Sequence, residues 1–401
     1  MKYLANLSLA AAIAMGSMTA SAADIKVGSV AGVTGPIAEL VAPIVAGRNL
    51  AAEHVNAQGG LFKGDMMKMV MADSGCDPKA GVDAGNKVVN VEQVVAIVGA
   101  SCSGATNGMV QSVTIPAGVV SLSDSATAPS ITDLQDNDLV FRVAPSDAYQ
   151  GAALAQHVMK SGIKKVAVTY ATDDYNAGLA AVFVREFKNM GGTITGNQAH
   201  EPKRASYRGE LATLSKGGPQ ALAVFAYYGS SGITIIRNSV ENGLFTKFYA
   251  ADGMFDKSVI EQLGADVLRD NIDISQPSSD FDDASYKAFA SAFSAKGGDP
   301  KAPYVANGYD AAFLIALAIE KAGSTDRSKI SAALHSVSRG PGVVIRPGEW
   351  AKAKKAIAAG QDINYQGASG IVDFDRNGDV SGLYSVNTVG ADGNWSTQMM
   401  K

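Results

Sequence analysis

Short, continuous apolar runs separated by helical segments constrain the fold of this chain most. Five such runs occupy residues 25–30, 67–72, 94–98, 119–122 and 139–143, and the rhythm restarts at 166–170, 193–195, 221–226 and 248–250. Runs that are apolar throughout are typical of parallel strands covered by helices on both faces. The sequence therefore predicts an α/β chain with two successive open parallel-sheet units.

The first helix is predicted between the first two strands. Pro43 suits a first helical turn, and Gly59-Gly60 suits the end of a helix. Ile44, Ala51 and Val55 then fall on one apolar face. We therefore expect this helix to begin at Pro43.

The N-terminus has the pattern of a cleaved secretory signal. Lys2 precedes an apolar stretch over residues 4–18, and Ala20-Ser21-Ala22 is a small-x-small cleavage site. The alternative is an unprocessed, buried N-terminal helix. We expect residues 1–22 to be a signal peptide that is cleaved near Ala22, which places the mature protein in the periplasm.

Length and charge limit the classes of function. Cleavage would leave 401 − 22 = 379 residues, which is more than one compact core usually holds. The mature chain would carry 34 − 1 = 33 Lys and Arg against 38 Asp and Glu. A net negative charge argues against nucleic acid as a partner.

Polar residues follow the predicted strands, at the edge where open α/β sheets bind their ligands. Hydroxyls and exposed backbone N–H groups suit a carboxylate, whereas an acid among tyrosines suits an ammonium. Individually these residues could be ordinary helix caps. Together they predict a site for a zwitterion, and they lie in segments 101–104, 123–127, 173–175, 227–229 and 252–253.

Cys76 and Cys102 are the two cysteines of the chain. An even count in an exported protein favours a disulfide bridge. Two buried free thiols are the alternative.

Several segments resemble the periplasmic leucine/isoleucine/valine-binding proteins of ABC transporters. The similarity covers essentially the whole mature chain. The segments that carry it are Ile25-Lys26-Val27, Thr34-Gly35-Pro36, Asn56-Ala57-Gln58-Gly59-Gly60, Cys76-Asp77-Pro78-Lys79, Cys102-Ser103 and Ala126-Thr127-Ala128-Pro129.

The resemblance implies a role for individual residues. Ser103 and Thr127 would hold the ligand α-carboxylate, with a backbone group at Ser125 and the neighbouring Ala126 and Cys102 in the same two loops. Tyr175 and Tyr228 would close over the ligand from the second lobe. Asp252 would pair with the α-ammonium, and Cys76 and Cys102 would form the family's disulfide.

The sequence departs from the family at three of these positions. Leu40 stands where an aromatic residue is expected, and Ser101 stands where an apolar residue usually faces the ligand side chain. Asp252 replaces the usual Glu and is shorter by one methylene. The resemblance thus implies that the site for the ligand α-carboxylate and α-ammonium is retained and that the pocket for the ligand side chain is altered. The ligand would be a branched-chain-like amino acid or a related amino acid or amide.

The resemblance also implies a fold and a partner. The type I periplasmic-binding-protein fold would have one lobe over residues 24–144 plus 276–380 and a second over 145–275 plus 381–401. Three crossings would form a hinge, and the lobes would close around the ligand. The monomeric protein would then deliver this ligand to the permease subunits of an ABC importer, without a cofactor or metal.

Two other functions fit the sequence less well. An exported sensor for a membrane receptor could use the same pocket. An enzyme is disfavoured because the four histidines are scattered without metal-ligand spacing, and no hydrolase or nucleotide-binding motif is present.

Overall fold

The computed structural model describes residues 23–400, so the predicted signal peptide lies outside the described residues. Along the described chain, two separate sheets form in sequence order. None of the helices over residues 23–400 has both the length and the apolar character needed to span a bilayer. The predicted α/β fold with two parallel-sheet units is confirmed.

The first sheet contains five parallel strands in the order β2-β1-β3-β4-β5. Four of its strands are largely buried because their apolar side chains pack against helices on both faces, whereas the edge strand β2 is partly exposed. They are β1 (Asp24–Ala31), β2 (Met66–Asp73), β3 (Ile97–Val98), β4 (Ser121–Ser123) and β5 (Val140–Arg142).

Helices from two stretches of the chain cover this first sheet. The early helices are α1 (Ala38–Ala57), α2 (Pro78–Asn86) and α3 (Ser103–Met109). The helices from the later stretch are α10 (Ala284–Ala295), α11 (Val305–Ala322), α12 (Ile330–Ser338) and α13 (Trp350–Ala358), together with the parallel pair β11 (Val343–Ile345) and β12 (Ile363–Tyr365).

Helices α1 and α11 approach each other closely at two glycines. A Cβ atom on Gly47 would lie 2.4 Å from the Val305 carbonyl oxygen, and one on Gly308 would lie 2.4 Å from the Ile44 carbonyl oxygen. Only glycine leaves space for such backbone contact. The early and late stretches are therefore joined into one core.

The expected start of the first helix was wrong. Helix α1 begins at Ala38, and Pro43 lies inside it. Pro43 is the sixth residue of the helix, so its missing N–H removes only the one hydrogen bond that it would otherwise donate to the Glu39 carbonyl.

The second sheet contains seven strands in the order β14-β13-β10-β9-β8-β6-β7. Five of them run parallel, whereas β13 and β14 are antiparallel additions at one edge. The strands are β6 (Lys165–Ala171), β7 (Thr193–His200), β8 (Ala221–Phe225), β9 (Phe248–Ala251), β10 (Ile272–Ser278), β13 (Leu383–Val389) and β14 (Trp395–Met399). The helices are α4 (Asp147–Lys160), α5 (Asp174–Asn189), α6 (Arg208–Leu214), α7 (Ile233–Glu241), α8 (Lys257–Leu263) and α9 (Ala265–Leu268).

The chain passes between the two units after β5, after β10 and before β13. Strand β10 continues to Ser278 while it pairs with β13, and so extends past the predicted lobe boundary between residues 275 and 276. The lobe boundaries given above stay a prediction.

The two units are in contact. Ile37 and Leu40 from the first and Tyr228 from the second belong to one continuous buried cluster. The side-chain amide of Asn107 in α3 also donates to the carboxylate of Asp174 in α5, at 2.7 Å. The cleft between the units is therefore closed.

Candidate functional site

The carboxyl ends of strands from both sheets meet at a small cavity in the cleft. The cavity has a volume of about 20 Å³, which is room for about one or two water molecules. Seven predicted site residues line it, namely Leu40, Ser101, Cys102, Ser103, Ser125, Tyr175 and Asp252. Tyr227 and Gly253, which lie in two of the predicted segments, also line it, together with Ile37 and Tyr304, which the sequence did not single out.

Ser103, the first residue of α3, supplies a hydroxyl to the first-lobe side of the cavity. Its Oγ accepts hydrogen bonds from the backbone N–H groups of Thr127 and Ala128, at 3.2 and 3.1 Å. A hydroxyl has one hydrogen and two lone pairs, so these two bonds leave its hydrogen available to donate. Ser103 therefore presents a fixed donor of the kind that a carboxylate accepts.

The predicted disulfide is confirmed and joins this loop to the segment after β2. Cys76 and Cys102 are bonded, with their Cα atoms 5.4 Å apart. Cys102 directly precedes Ser103 and lines the cavity. The bridge therefore fixes the loop that carries the hydroxyl donor.

Thr127 and Ala126 lie behind the cavity and do not line it. The Thr127 hydroxyl donates to Asp147 Oδ2 at 3.0 Å. Ala126 is fully buried, and its N–H donates to Ser123 Oγ at 3.1 Å. In this closed arrangement Thr127 acts through its N–H group, which holds the Ser103 oxygen.

Asp252 follows β9 and places a carboxylate on the second-lobe side. Its Oδ1 accepts from the Tyr175 hydroxyl at 2.9 Å and from Gln150 Nε2 at 2.7 Å. Its Oδ2 accepts from the Tyr304 hydroxyl at 2.9 Å. Burial raises the pKa of Asp252, and the hydrogen bonds from Gln150, Tyr304 and Tyr175 oppose that rise.

Among residues 23–400, no cation pairs with this carboxylate. Asp252 is only 6% exposed. A buried charge is costly unless an opposite charge pairs with it. The site is therefore suited to a ligand that carries a positive group.

A second buried acid, Asp147, lies near Asp252 and was not predicted. It is fully buried in the first turn of α4, and its Oδ1 has no hydrogen-bond partner. Burial first, and the charge of Asp252 second, raise the pKa of Asp147 well above its ordinary value. Asp147 does not line the cavity, so Asp252 is the acid of this pair that faces it.

The structure distinguishes the two adjacent tyrosines. Tyr227 lines the cavity and stacks on Tyr175, with ring centroids 5.3 Å apart and planes 19° apart. Tyr228 points away from the cavity lining towards the backbone of Leu40 and Glu39, and burial raises its pKa to about 12. Tyr228 therefore contacts the opposite lobe. The resemblance assigned the ligand contact to Tyr228, whereas the ring that lines the cavity in this structure is that of its neighbour Tyr227.

Ser101 lines the cavity, but its hydroxyl hydrogen is already donated to Asp124 Oδ1 at 3.1 Å. Leu40 is 7% exposed and lies beside Ile37 in the lining. The first-lobe wall is accordingly more apolar than the presence of Ser101 suggested.

Comparison with known proteins identifies the family of this chain. Residues 24–364 match the model of a family described as periplasmic binding protein. The chain is 30% identical over 335 residues to the leucine-, isoleucine-, valine-, threonine- and alanine-binding protein of Pseudomonas aeruginosa, covering 83% of this chain and 88% of that protein. It is 27% identical over 352 residues to the leucine-specific-binding protein of Salmonella typhimurium, covering 87% and 93%. The crystal structure of a leucine-binding protein from Thermotoga maritima matches with a TM-score of 0.79 and 24% identity, covering 94% of this chain and 99% of that chain.

The resemblance drawn from the sequence segments is thus confirmed, as is the fold that it implies. The family and these relatives are binding proteins and not enzymes, so the enzyme alternative is set aside.

Proposed function

The chain belongs to the periplasmic binding protein family, and from this premise we propose that it captures an amino acid between its lobes and delivers it to the permease of an ABC importer. The observation that carries the proposal is the cavity itself. One wall holds a hydroxyl donor, Ser103, and the other holds Asp252, a buried carboxylate without a protein cation. These are complementary to the two charged groups of a zwitterion.

The same groups give the ligand an orientation. Its carboxylate would accept from Ser103 on the first lobe, with the backbone at Ser125 beside it. Its ammonium would lie against Asp252, inside the ring of hydroxyls from Tyr175 and Tyr304. An ammonium there would replace the missing protein cation, so the buried carboxylate favours binding.

The side chain of the ligand would extend along Leu40 and Ile37, with the Tyr227 ring on the opposite wall. Branched-chain amino acids fit this chemistry, and so do related amino acids with other apolar groups. Because the cavity of this ligand-free structure has room for only about one or two waters, a bound amino acid would hold the two lobes further apart than they are here.

Contacts across the cleft would stabilise the closed state around the ligand. Tyr304, which directly precedes α11 of the first unit, donates to Asp252 of the second unit. The bond between Asn107 and Asp174 links the units at the rim. A ligand that pairs with Asp252 would add to these contacts only in the closed state, and this is how binding would drive closure.

The function is tested by thermal denaturation of the mature protein with each of the twenty protein L-amino acids. Saturation at 100 times the dissociation constant would raise the free energy of unfolding by about 2.7 kcal/mol. At least one amino acid should raise the melting temperature. Its N-acetyl and amide derivatives, which each lack one of the two charges, should not.

Stabilisation by uncharged sugars alone would contradict the zwitterion site. Delivery to a permease is tested by uptake of the stabilising amino acid in cells that do or do not produce the protein. Unchanged uptake together with a lost chemotactic response would instead support the sensor function.

A further inference from the structure

A buried arginine lies beneath the first-lobe wall of the cavity. Arg48 in α1 is fully buried. Its Nη1 donates to Ser29 Oγ, to the Val30 carbonyl and to the Val98 carbonyl, at 2.9, 3.0 and 3.3 Å. These acceptors lie near the ends of β1 and β3, so one guanidinium ties two strand ends together.

The other donors of Arg48 point to the loops of the site. Nε donates to Asp124 Oδ2 at 2.7 Å, and Nη2 lies 2.6 Å from the same oxygen. Nη2 also donates to Ser101 Oγ at 2.7 Å. All the donor atoms of this guanidinium therefore have partners, which is the condition under which a buried charge is tolerated.

Asp124 extends the network to both serines of the cavity wall. Its Oδ1 accepts from Ser101 Oγ at 3.1 Å and from Ser125 Oγ at 3.2 Å. Ser125 Oγ also lies 3.0 Å from the Ser101 carbonyl oxygen. The loops after β3 and β4 are thus joined through a single carboxylate.

Ser101 has a backbone conformation that needs such support. Its φ is +72°, in the left-handed region that residues other than glycine rarely adopt. Such conformations persist where the surrounding structure holds them, and they are frequent at functional sites. The contacts of Ser101 with Arg48, Asp124 and Ser125 supply that support.

We propose that Arg48 and Asp124 are positioning residues that hold the two acid-binding loops, and that Ser101 belongs to their network and not to the ligand contacts. This inference rests on the proposed function, because the loops concerned carry Ser103 and Ser125. It also accounts for a polar residue where the family resemblance leads one to expect an apolar one. The hydroxyl of Ser101 faces the buried ion pair.

If the ion pair only stabilised the core, its removal would leave the two loops ordered. If it positions the loops, its removal should make them more mobile while the protein stays folded. Replacing both charges by apolar residues, in R48M/D124L, leaves no unpaired charge and is compatible with folding. The loops then lose their common anchor although the core remains. The milder variant R48K keeps the charge but cannot supply the five donors of a guanidinium.

Hydrogen exchange on the mature protein tests the positioning role without any ligand. Peptides over residues 99–104 and 123–127 should exchange at least tenfold faster in R48M/D124L and faster than wild type in R48K. The matched control is K247M/D273L, which removes a partly buried pair, together with the contact between Asp273 and His157, at the opposite, N-terminal ends of β9 and β10. That control should leave exchange in both loops unchanged.

Binding supplies the second measurement. The amino acid that stabilises the wild-type protein most should bind R48M/D124L at least tenfold more weakly and the control equally well. Wild-type exchange in both loops of a folded R48M/D124L, or faster exchange with unchanged affinity, would overturn the inference. If none of the twenty amino acids binds wild type, the proposed function has failed, and the exchange rates alone decide whether the pair orders the loops.

Discussion

The two walls of the cavity differ in how their charges are balanced. Under the first-lobe wall, the charged groups Arg48 and Asp124 pair with each other, and a neutral hydroxyl on Ser103 faces the cavity. On the second-lobe wall, Asp252 faces the cavity with three neutral donors and no cationic partner within the described part of the chain, residues 23–400. The first wall is complete without a ligand, whereas the second becomes electrically balanced only when a cation binds. Binding of the ligand carboxylate thus depends on loops that are already ordered before the ligand arrives. Binding of the ligand ammonium depends on the negative charge of Asp252.

The largest effect is expected at the unbalanced wall. Asp252→Asn keeps the shape and removes the charge, so we expect affinity for the bound amino acid to fall by at least 100-fold, about 3 kcal/mol. The ligand-free protein should be equally stable or more stable, since a buried charge is removed. Calorimetric titration and thermal denaturation measure the two effects.

Asp256→Asn is the matched control for this substitution. Asp256 caps α8, and asparagine caps a helix equally well. Near-normal affinity in Asp252→Asn would show that this carboxylate is not the ammonium partner.

Removing the disulfide tests whether it holds the Ser103 loop of the first-lobe wall in place. In C76A/C102A the bridge across 26 residues is lost, which should lower the free energy of unfolding by about 3 kcal/mol. Affinity should fall as well, because Cys102 precedes Ser103. Denaturation in urea under oxidising conditions measures the first effect. An unchanged midpoint would mean that packing alone holds the loop.

Ser103→Ala removes the hydroxyl donor and leaves two backbone N–H groups without their acceptor. Hydrogen bonds to charged groups contribute about 1.5–3 kcal/mol, so we expect a 10- to 100-fold loss of affinity. Ser239→Ala, a buried serine in α7 that bonds within its own helix, is the control. Equal affinities in the two variants would place the carboxylate elsewhere.

The buried acids predict a pH dependence of opposite sign for stability and for binding. Burial raises the pKa of Asp147 and Asp252 above the ordinary value of 3.8. The folded state therefore holds these protons more tightly than the unfolded state, and its stability falls as pH rises from below 3.8 through the raised pKa values.

Binding needs ionised Asp252, so affinity should decrease about tenfold per pH unit below its raised pKa. The stability difference between D147N/D252N and wild type, from urea denaturation between pH 4 and pH 8, should grow in favour of the variant as pH rises. A difference independent of pH would show that neither pKa is raised.

The smallest effect on affinity is expected at the contact between Asn107 and Asp174, which joins the two units across the cleft. Asn107→Ala removes the bond to Asp174 across the cleft, which is worth about 1 kcal/mol, so affinity should fall about fivefold. Asn90→Ala removes an exposed bond to Asn86 within one helical segment and should leave affinity unchanged. If both variants bind normally, the rim contact does not contribute to closure.

The sequence predicted the residues that face the cavity better than the residues that hold them in place. Ser103 and Asp252 could be found because the carboxyl ends of parallel strands meet at one edge. Tyr304 could not, since it precedes α11 and follows no strand. Gln150 and Asp147 lie on a helix face, where polar residues are usually exposed to solvent. Arg48 is the clearest case, because nothing in the pattern of α1 distinguishes a buried arginine from a surface one.

The position of the site between the two units also has a kinetic consequence. If an amino acid is held by both walls as proposed, it leaves only after the two units separate. The lifetime of the bound molecule is then the waiting time for opening, and individual contacts act on dissociation only by lengthening that wait. A membrane partner that opens the cleft would therefore release the cargo quickly, however tightly the isolated protein retains it.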